Sequence, residues 1–252
     1  MANYIKRRAP EVAGSLAAEL QMAASEVRFY REIAPEIGVR VPECYRAELT
    51  DEGSLLELED LSAWRPGAEP AAAASLLRSM HDQWTGRAHV RWPWLRGISA
   101  GDELVARLYD GAWPKLAARS DMSAPVREFG ARLVGKVRQV EAQLLNAGPL
   151  TLAHGDASGP NLRTAPDGEI ALLDWEDVSA APGVMDLTWH LVSSVEPARW
   201  SEALDAYGPS DGLLETLPSS MVQGYLSMSD WPEGSAEAVG FDARLAAAVA
   251  ML

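Results

Sequence analysis

His154-Gly155-Asp156-Ala157-Ser158-Gly159-Pro160-Asn161, followed by Asp174-Trp175-Glu176, decides how this chain reads. The apolar run at 150–153 predicts a short strand that delivers the first cluster to its end. The residues after Asn161 read as a hairpin. Arg163 opens it, Ala165-Pro166-Asp167-Gly168 supplies the turn, and Ile170-Ala171-Leu172-Leu173 is a buried return strand. That hairpin brings Asp174 back beside Asp156 and Asn161, so three polar side chains from separate segments converge.

Two carboxylates and an amide suit phosphoryl transfer from a nucleotide. Such a reaction asks the protein for in-line positioning and for neutralisation of phosphate charge by magnesium, and for little covalent help. Magnesium prefers hard oxygen ligands and retains several waters, so a carboxylate plus an amide oxygen suffices. Asp174 is expected as its principal ligand and Asn161 as the helper. Asp156 is expected to orient a substrate hydroxyl and take its proton.

These residues resemble the catalytic loop and metal-binding segment of the aminoglycoside phosphotransferase and choline kinase-like family, distant relatives of the protein kinases. The family pattern is His-Gly-Asp, four variable residues, Asn, then a hairpin ending in Asp. His154, Asp156, Asn161 and Asp174 meet every fixed position, and the resemblance implies that His154, Asp156 and Asn161 are catalytic and that Asn161 and Asp174 hold the metal. The likeness continues through Gly183-Val184-Met185-Asp186-Leu187, where it implies that Asp186 braces the catalytic loop from beneath. At average residue usage, the first cluster alone is roughly a one-in-a-thousand coincidence in a chain of this size.

The resemblance implies a two-lobed α+β protein-kinase-like fold. Residues 1–61 would be a partial nucleotide-binding lobe, and residues 62–252 a mostly helical lobe with the catalytic loop and acceptor pocket. Residues 3–7 read as a strand and 12–33 as a helix with an apolar stripe through Leu16, Leu20, Ala23, Val27 and Tyr30. A strand pair follows at 44–47 and 54–58, turning at Thr50-Asp51-Glu52-Gly53. In the family a strand lysine grips the nucleotide phosphates and pairs with a helix glutamate. Lys6 fits the lysine, with Arg7 or Arg8 as alternatives. Glu26 fits the glutamate, being followed by Phe29-Tyr30, with Glu19 as the alternative. The segment Glu59-Asp60-Leu61 resembles the hinge whose backbone holds the adenine edge, and Asp60 or Glu59 could approach the ribose.

The chain departs from the family at its start. Two strands and a phosphate-covering glycine-rich loop should precede Lys6, yet five residues do, and no Gly-x-Gly-x-x-Gly or Gly-Lys-Ser/Thr occurs elsewhere. This leaves a second expectation open: a nucleotide-binding pseudokinase or regulatory protein with little or no transfer. A helical scaffold without catalysis would leave Asp156, Asn161 and Asp174 unexplained.

Composition is that of an ordinary globular chain: 252 residues, 48% hydrophobic, 23% charged. The single cysteine, Cys44, cannot form an internal disulfide and fits a reducing cytoplasm. No run approaches a membrane span, and residues 1–8 show no signal peptide. A formal charge of −14 argues against a nucleic-acid partner. It is compatible with a cationic small-molecule acceptor, although acidity serves solubility first. Nothing in the sequence decides an oligomeric state.

Beyond the hinge, helices are expected over 69–84, along Val126 to Leu144, and over 189–195, 202–207, 213–226 and 236–252. His81 reads as a packing or hydrogen-bonding residue, and Trp92-Pro93-Trp94 as core or as a pocket wall. His89 and His190 lack the clustered partners of a zinc site. Asp177, Glu196, Asp205 and Glu215 are candidates for the amino groups of a cationic acceptor, though such carboxylates more often form a solvated face. Taken together, the expectation is a magnesium-dependent transfer from ATP to a hydroxyl of a small molecule, aminoglycoside-like or otherwise.

Overall fold

Strand β3 (Gly53–Glu59) alternates between buried and half-buried positions, with Leu56 and Leu58 inward, and sits at the centre of the first sheet. A computed structural model describes residues 3–98 and 100–252; Met1 and Ala2, part of the segment read for a leader, lie outside them. The partners of β3 are β1 (Asn3–Arg8) and β2 (Cys44–Thr50), in the order β1-β3-β2, antiparallel throughout. Register sets Lys6 opposite Leu56. Cross-strand partners share a face, so Lys6 points to the side where the following helix packs.

The sequence predicts one helix over 12–33, but the chain forms two. Helices α1 (Leu16–Leu20) and α2 (Met22–Arg28) are separated by Gln21, whose φ of 52° is left-handed; a π-helical turn (Phe29–Ile33) extends the second. Side chains make the break tolerable. Ser15 Oγ accepts from the Ala18 N–H at 3.2 Å, and Glu11 reaches the Ala23 N–H at 2.7 Å. The single apolar stripe is thereby divided. Val27 and Tyr30 join the core beneath the sheet, while Leu16 and Leu20 turn toward a cavity described below.

The larger part is helical: α3 (Pro70–Trp84), α4 (Ala88–Arg91), α5 (Asp102–Ala117), α6 (Ala124–Leu133) and α7 (Val137–Gln143) precede the catalytic segment. The stripe from Val126 to Leu144 is interrupted at Gly135, whose φ of 68° no helix accommodates. Helix α5 buries only Leu104, Tyr109 and Leu116 along its length, too thin a stripe to stand out in the sequence. Trp92 is buried in the core. Trp94 donates to Glu32 at 2.7 Å under the Arg28 guanidinium, so neither ring lines a cleft.

Four short strands then carry the site. β5 (Leu150–Ala153) pairs with β8 (Ser179–Pro182), and β6 (Leu162–Thr164) with β7 (Ile170–Leu172) and with β4 (Arg65–Pro66). Helices α8 (Val184–Ser194), α9 (Trp200–Tyr207), α10 (Leu213–Asp230) and α11 (Ala236–Met251) complete the fold. A small β-rich lobe thus sits beside a larger helical part, the α+β arrangement expected.

Candidate active site

Strand β5 ends at Ala153, and the chain turns at Gly155 with φ +87°. A Cβ there would lie 2.3 Å from the Asp177 carbonyl oxygen, so only glycine fits. The turn is held from below by Asp186, which is fully buried. Its carboxylate accepts from the backbone N–H of His154 at 2.7 Å and of Gly155 at 2.9 Å, and meets His81 Nε2 at 3.1 Å. Burial by itself would raise the Asp186 pKa. The bond to His81, the nearby imidazoles and the Gly155 amide outweigh it and hold the carboxyl below its ordinary value. His81 Nδ1 meets the Tyr207 hydroxyl at 2.8 Å, which makes it the hydrogen-bonding residue expected.

His154 does not face a cleft. It is fully buried, its Nε2 donates to the Leu173 carbonyl at 2.8 Å, and its Nδ1 accepts from the Asp156 N–H at 3.2 Å. Both nitrogens therefore tie the turn to the end of the hairpin, and none is left for proton transfer to a substrate.

Asp156 is held by two neutral donors. Trp189 Nε1 reaches Oδ1 at 2.5 Å and Asn161 Nδ2 reaches Oδ2 at 2.7 Å. Since the amide nitrogen serves Asp156, the Asn161 amide oxygen is turned the other way. Hairpin register then decides what it meets. Leu162 pairs with Leu172, and the Leu173 N–H bonds the Asn161 carbonyl at 2.9 Å, which sets Asn161 beside the residue preceding Asp174.

Asp174 has φ 63°, a left-handed conformation uncommon for a residue with a side chain. The reversal leads into a 3-10 turn (Trp175–Asp177) and leaves the carboxylate partly exposed. Lys6 Nζ lies 2.6 Å from its Oδ1 and 2.7 Å from Glu26 Oε2. Burial pushes the Glu26 pKa up, and the Lys6 charge beside it only partly offsets this. Arg7 and Glu19, the alternatives considered for these two positions, are exposed, whereas Lys6 and Glu26 are paired with each other. Arg8, on the same strand face as Lys6, instead pairs with Glu176 and lies 3.8 Å from Asp174.

Lys6, Glu26, Glu59, Asp60, Leu61, Asn161 and Asp174 all line one cleft of about 270 Å³, with Tyr4, Tyr30 and Leu58 among its walls. The hinge candidates differ in what they leave free. Glu59 is ion-paired to Arg40 and accepts from the Glu43 N–H, and the Leu61 carbonyl accepts from Trp64. Asp60 caps the Ser62 N–H at 2.9 Å. One oxygen from each of Glu26, Asp174 and Glu176 lies within 4.8 Å of the others. All three carboxylates have basic partners, Lys6 for Glu26 and Asp174 and Arg8 for Glu176. Asp174 is the most exposed of them, and with the Asn161 amide oxygen it offers the kind of hard oxygen donors that magnesium takes.

A second cavity, of about 340 Å³, shares no lining residue with the first. Asp156 lines it, as do Gly155, Trp189, Asp177 and Arg96. Arg96 holds Asp177 at 3.1 Å. Burial raises the Asp177 pKa, with Arg96 opposing. Glu196, Asp205 and Glu215, the other carboxylates considered for an acceptor, are exposed and line neither space.

A carboxylate the sequence reading passed over also lines this cavity. Glu141 of α7 accepts from Ser219 Oγ at 2.8 Å, and burial lifts its pKa from 4.5 to about 7, with Asp102 adding to the rise. The charged groups around it are Asp102, itself 3.6 Å from Arg138, and, across the cavity, Asp156 and the Asp177–Arg96 pair. Between pH 4.5 and about 7 the folded chain holds a proton that the unfolded chain releases, so stability falls as pH rises through that window. Glu141→Gln removes the loss. The variant is expected to melt roughly 4–8 °C higher than the parent at pH 8, for about 2 kcal/mol, and level with it at pH 4. A melting difference that does not change with pH would show that burial of this charge is not what sets it.

A family model described as the phosphotransferase enzyme family matches residues 3–221. The chain belongs to this family. Among solved structures, spectinomycin phosphotransferase bound to ADP and spectinomycin is 13% identical, with a TM-score of 0.57 over 99% of this chain and 86% of that one. Choline kinase from Streptococcus pneumoniae is 16% identical, with a TM-score of 0.56 over 99% and 86%. An aminoglycoside phosphotransferase from Alicyclobacillus acidocaldarius is 15% identical, with a TM-score of 0.53 over 98% and 82%. At these identities the likeness is one of fold, and it is the protein-kinase-like fold expected. A search of curated proteins finds no match. Among the described residues, no helix is long and apolar enough to cross a membrane.

Sequence reasoning missed Trp189, Arg96, Glu141 and the Arg8–Glu176 pair. Two of these had a signal. Arg8 is two residues from Lys6 on one strand, and Trp189 is three from Asp186 on one helix, so each shares a face with a residue already singled out.

Proposed function

We propose that this phosphotransferase moves the γ-phosphoryl group of ATP to a hydroxyl of a small molecule, with Asp156 as the base. One observation carries the reading: Asp156 lines one cavity while Asn161, hydrogen-bonded to it, lines the other with Lys6 and Asp174. A donor nucleotide and an acceptor alcohol on either side of this loop would meet at the Asp156 carboxylate.

The first cavity would hold the nucleotide, the adenine edge against the backbone of 59–61 and the phosphates toward Lys6. Lys6 would bind the phosphates, fixed by Glu26. Asp174 and Asn161 would hold magnesium, which supplies neutralisation of phosphate charge when bound. Asp156 would accept the hydroxyl hydrogen, aligning the oxygen with phosphorus. As the new O–P bond forms, the bond to the bridging oxygen breaks, the proton passes to Asp156 and ADP leaves. His154 and Asp186 would position this loop without touching substrate. On this reading residues 1–61 serve the nucleotide and residues 62–252 carry the loop and acceptor cavity. Dependence on ATP assigns the reaction to the cytoplasm.

The test is transfer of labelled γ-phosphate by the purified chain to a panel of alcohols. Nucleotide binding without label on any acceptor would favour a nucleotide-binding protein that does not transfer. Within the reading, Asp174→Ala is expected to weaken binding of magnesium–ATP about tenfold or more, and of metal-free ATP not at all. Calorimetry with and without magnesium separates the two. Equal weakening in both titrations would make Asp174 a structural partner of Lys6 and no metal ligand.

A further inference from the structure

The cavity beside Asp156 combines features that together describe its ligand. Its walls are largely apolar, supplied by Leu20, Met22, Val105, Leu144 and Leu226. Its charged lining comprises Glu141, Asp156, Asp177 and the single cation Arg96, which is already bound to Asp177. Glu141 and Asp156 are therefore left without a counter-charge on these walls. They differ in what else they hold: both Asp156 oxygens have neutral donors, whereas Glu141 has one, Ser219, and its second oxygen has none among the described residues. Among the described residues, the charge that adds to the rise of the Glu141 pKa is a like one, Asp102.

An independent observation also indicates a polar ligand group. Ser179 is another residue of this lining; it is 8% exposed, and its hydroxyl has no hydrogen-bond partner among the described residues. Buried hydroxyls are nearly always satisfied, so this one suits a donor or acceptor brought by the ligand.

We infer that the cavity takes an alcohol with an apolar body and a single basic amine, the ammonium group seated against Glu141 and the hydroxyl at Asp156. A bare carboxylate in a mostly apolar site selects a cation, because an uncharged ligand would leave that charge desolvated and unpaired. The same walls disfavour a polycation. With Asp156 given to the hydroxyl and Asp177 to Arg96, several ammonium groups would have only Glu141 to meet them and would otherwise lie against leucine and methionine, losing their hydration without replacement. A volume of about 340 Å³ suits a small molecule. Only the hydroxyl end of this assignment rests on the phosphoryl-transfer reading; the amine end stands on Glu141 alone.

Two probes of equal shape test it: an eight-carbon alcohol ending in a dimethylammonium group, and its uncharged isopropyl counterpart. Calorimetry on the full chain at pH 8, without nucleotide, is expected to give at least tenfold tighter binding of the amine. In Glu141→Gln that preference falls below about threefold, while Asp156→Ala retains it. Equal binding of the two probes by the parent chain overturns the inference. So does a preference that survives Glu141→Gln, or tighter binding of a four-amine aminosugar than of the mono-amine. An amine preference that Glu141→Gln abolishes, found in a chain that transfers no phosphate, overturns the catalytic reading and leaves this one standing.

Discussion

Asp156→Ala is expected to lower kcat for phosphoryl transfer by about 10²–10⁴ and to leave the fold intact. Loss of this size follows from removing a positioned base that also orients the attacking oxygen. The carboxylate is held at both oxygens, by Trp189 and by Asn161, so its direction is set before any substrate arrives. Stability changes little because the loop is held by other groups: Asp186 bonds the backbone of His154 and Gly155, and His154 bridges to Leu173. Nucleotide affinity is expected to stay at the parent level, since Asp156 lines the other cavity. Steady-state kinetics with the acceptor varied, alongside nucleotide titration, check both halves. Transfer at the parent rate would remove Asp156 from the chemistry. An equal loss of nucleotide binding would mean that the substitution disturbs the whole loop.

Trp175→Ala is expected to destabilise the chain by about 3–5 kcal/mol, a large share of the 5–15 kcal/mol typical of a folded protein. Trp175 is fully buried between the two parts of the fold. Its ring stacks on Phe29 at 4.0 Å with the planes 6° apart, contacts His154 at 4.3 Å, and donates through Nε1 to the Leu172 carbonyl. Phe29 directly follows α2, which carries Glu26, and Trp175 directly follows Asp174. The stack therefore fixes the distance over which Lys6 can bridge Glu26 and Asp174. Urea denaturation should show the loss as a lower midpoint. Trp175→Phe, which retains the stack, should recover most of it. A midpoint within experimental error of the parent would mean that the two parts are held elsewhere.

The elements the sequence disclosed were those whose pattern is local. The strand at Leu150–Ala153 agrees to the residue, the hairpin turns where Ala165-Pro166-Asp167-Gly168 places it, and α3 begins one residue from its expected start. Periodicity failed where a backbone reversal interrupts an unbroken apolar stripe. Nothing in the side chains around Gln21 signals a left-handed residue, because the partners that support it, Glu11 and Ser15, act through backbone groups. For the site, the sequence had two possible lysine substitutes and two possible glutamates. Only burial and distance separated Lys6 from Arg7, and Glu26 from Glu19.

Residue type and spacing were thus enough to determine the family, the fold class and the group of side chains that meets at the hairpin. A glycine with positive φ, an aspartate at a strand end and a turn of known length constrain the chain through covalent geometry alone. Tertiary structure decided the remainder: that Asp156 and Asn161 open on different cavities, that His154 is sealed in, and that Glu141 lies bare beside Ser219. These depend on desolvation and on contacts between distant segments, 78 residues apart for Glu141 and Ser219 and 168 for Lys6 and Asp174, and neither quantity is carried by any local stretch of the chain.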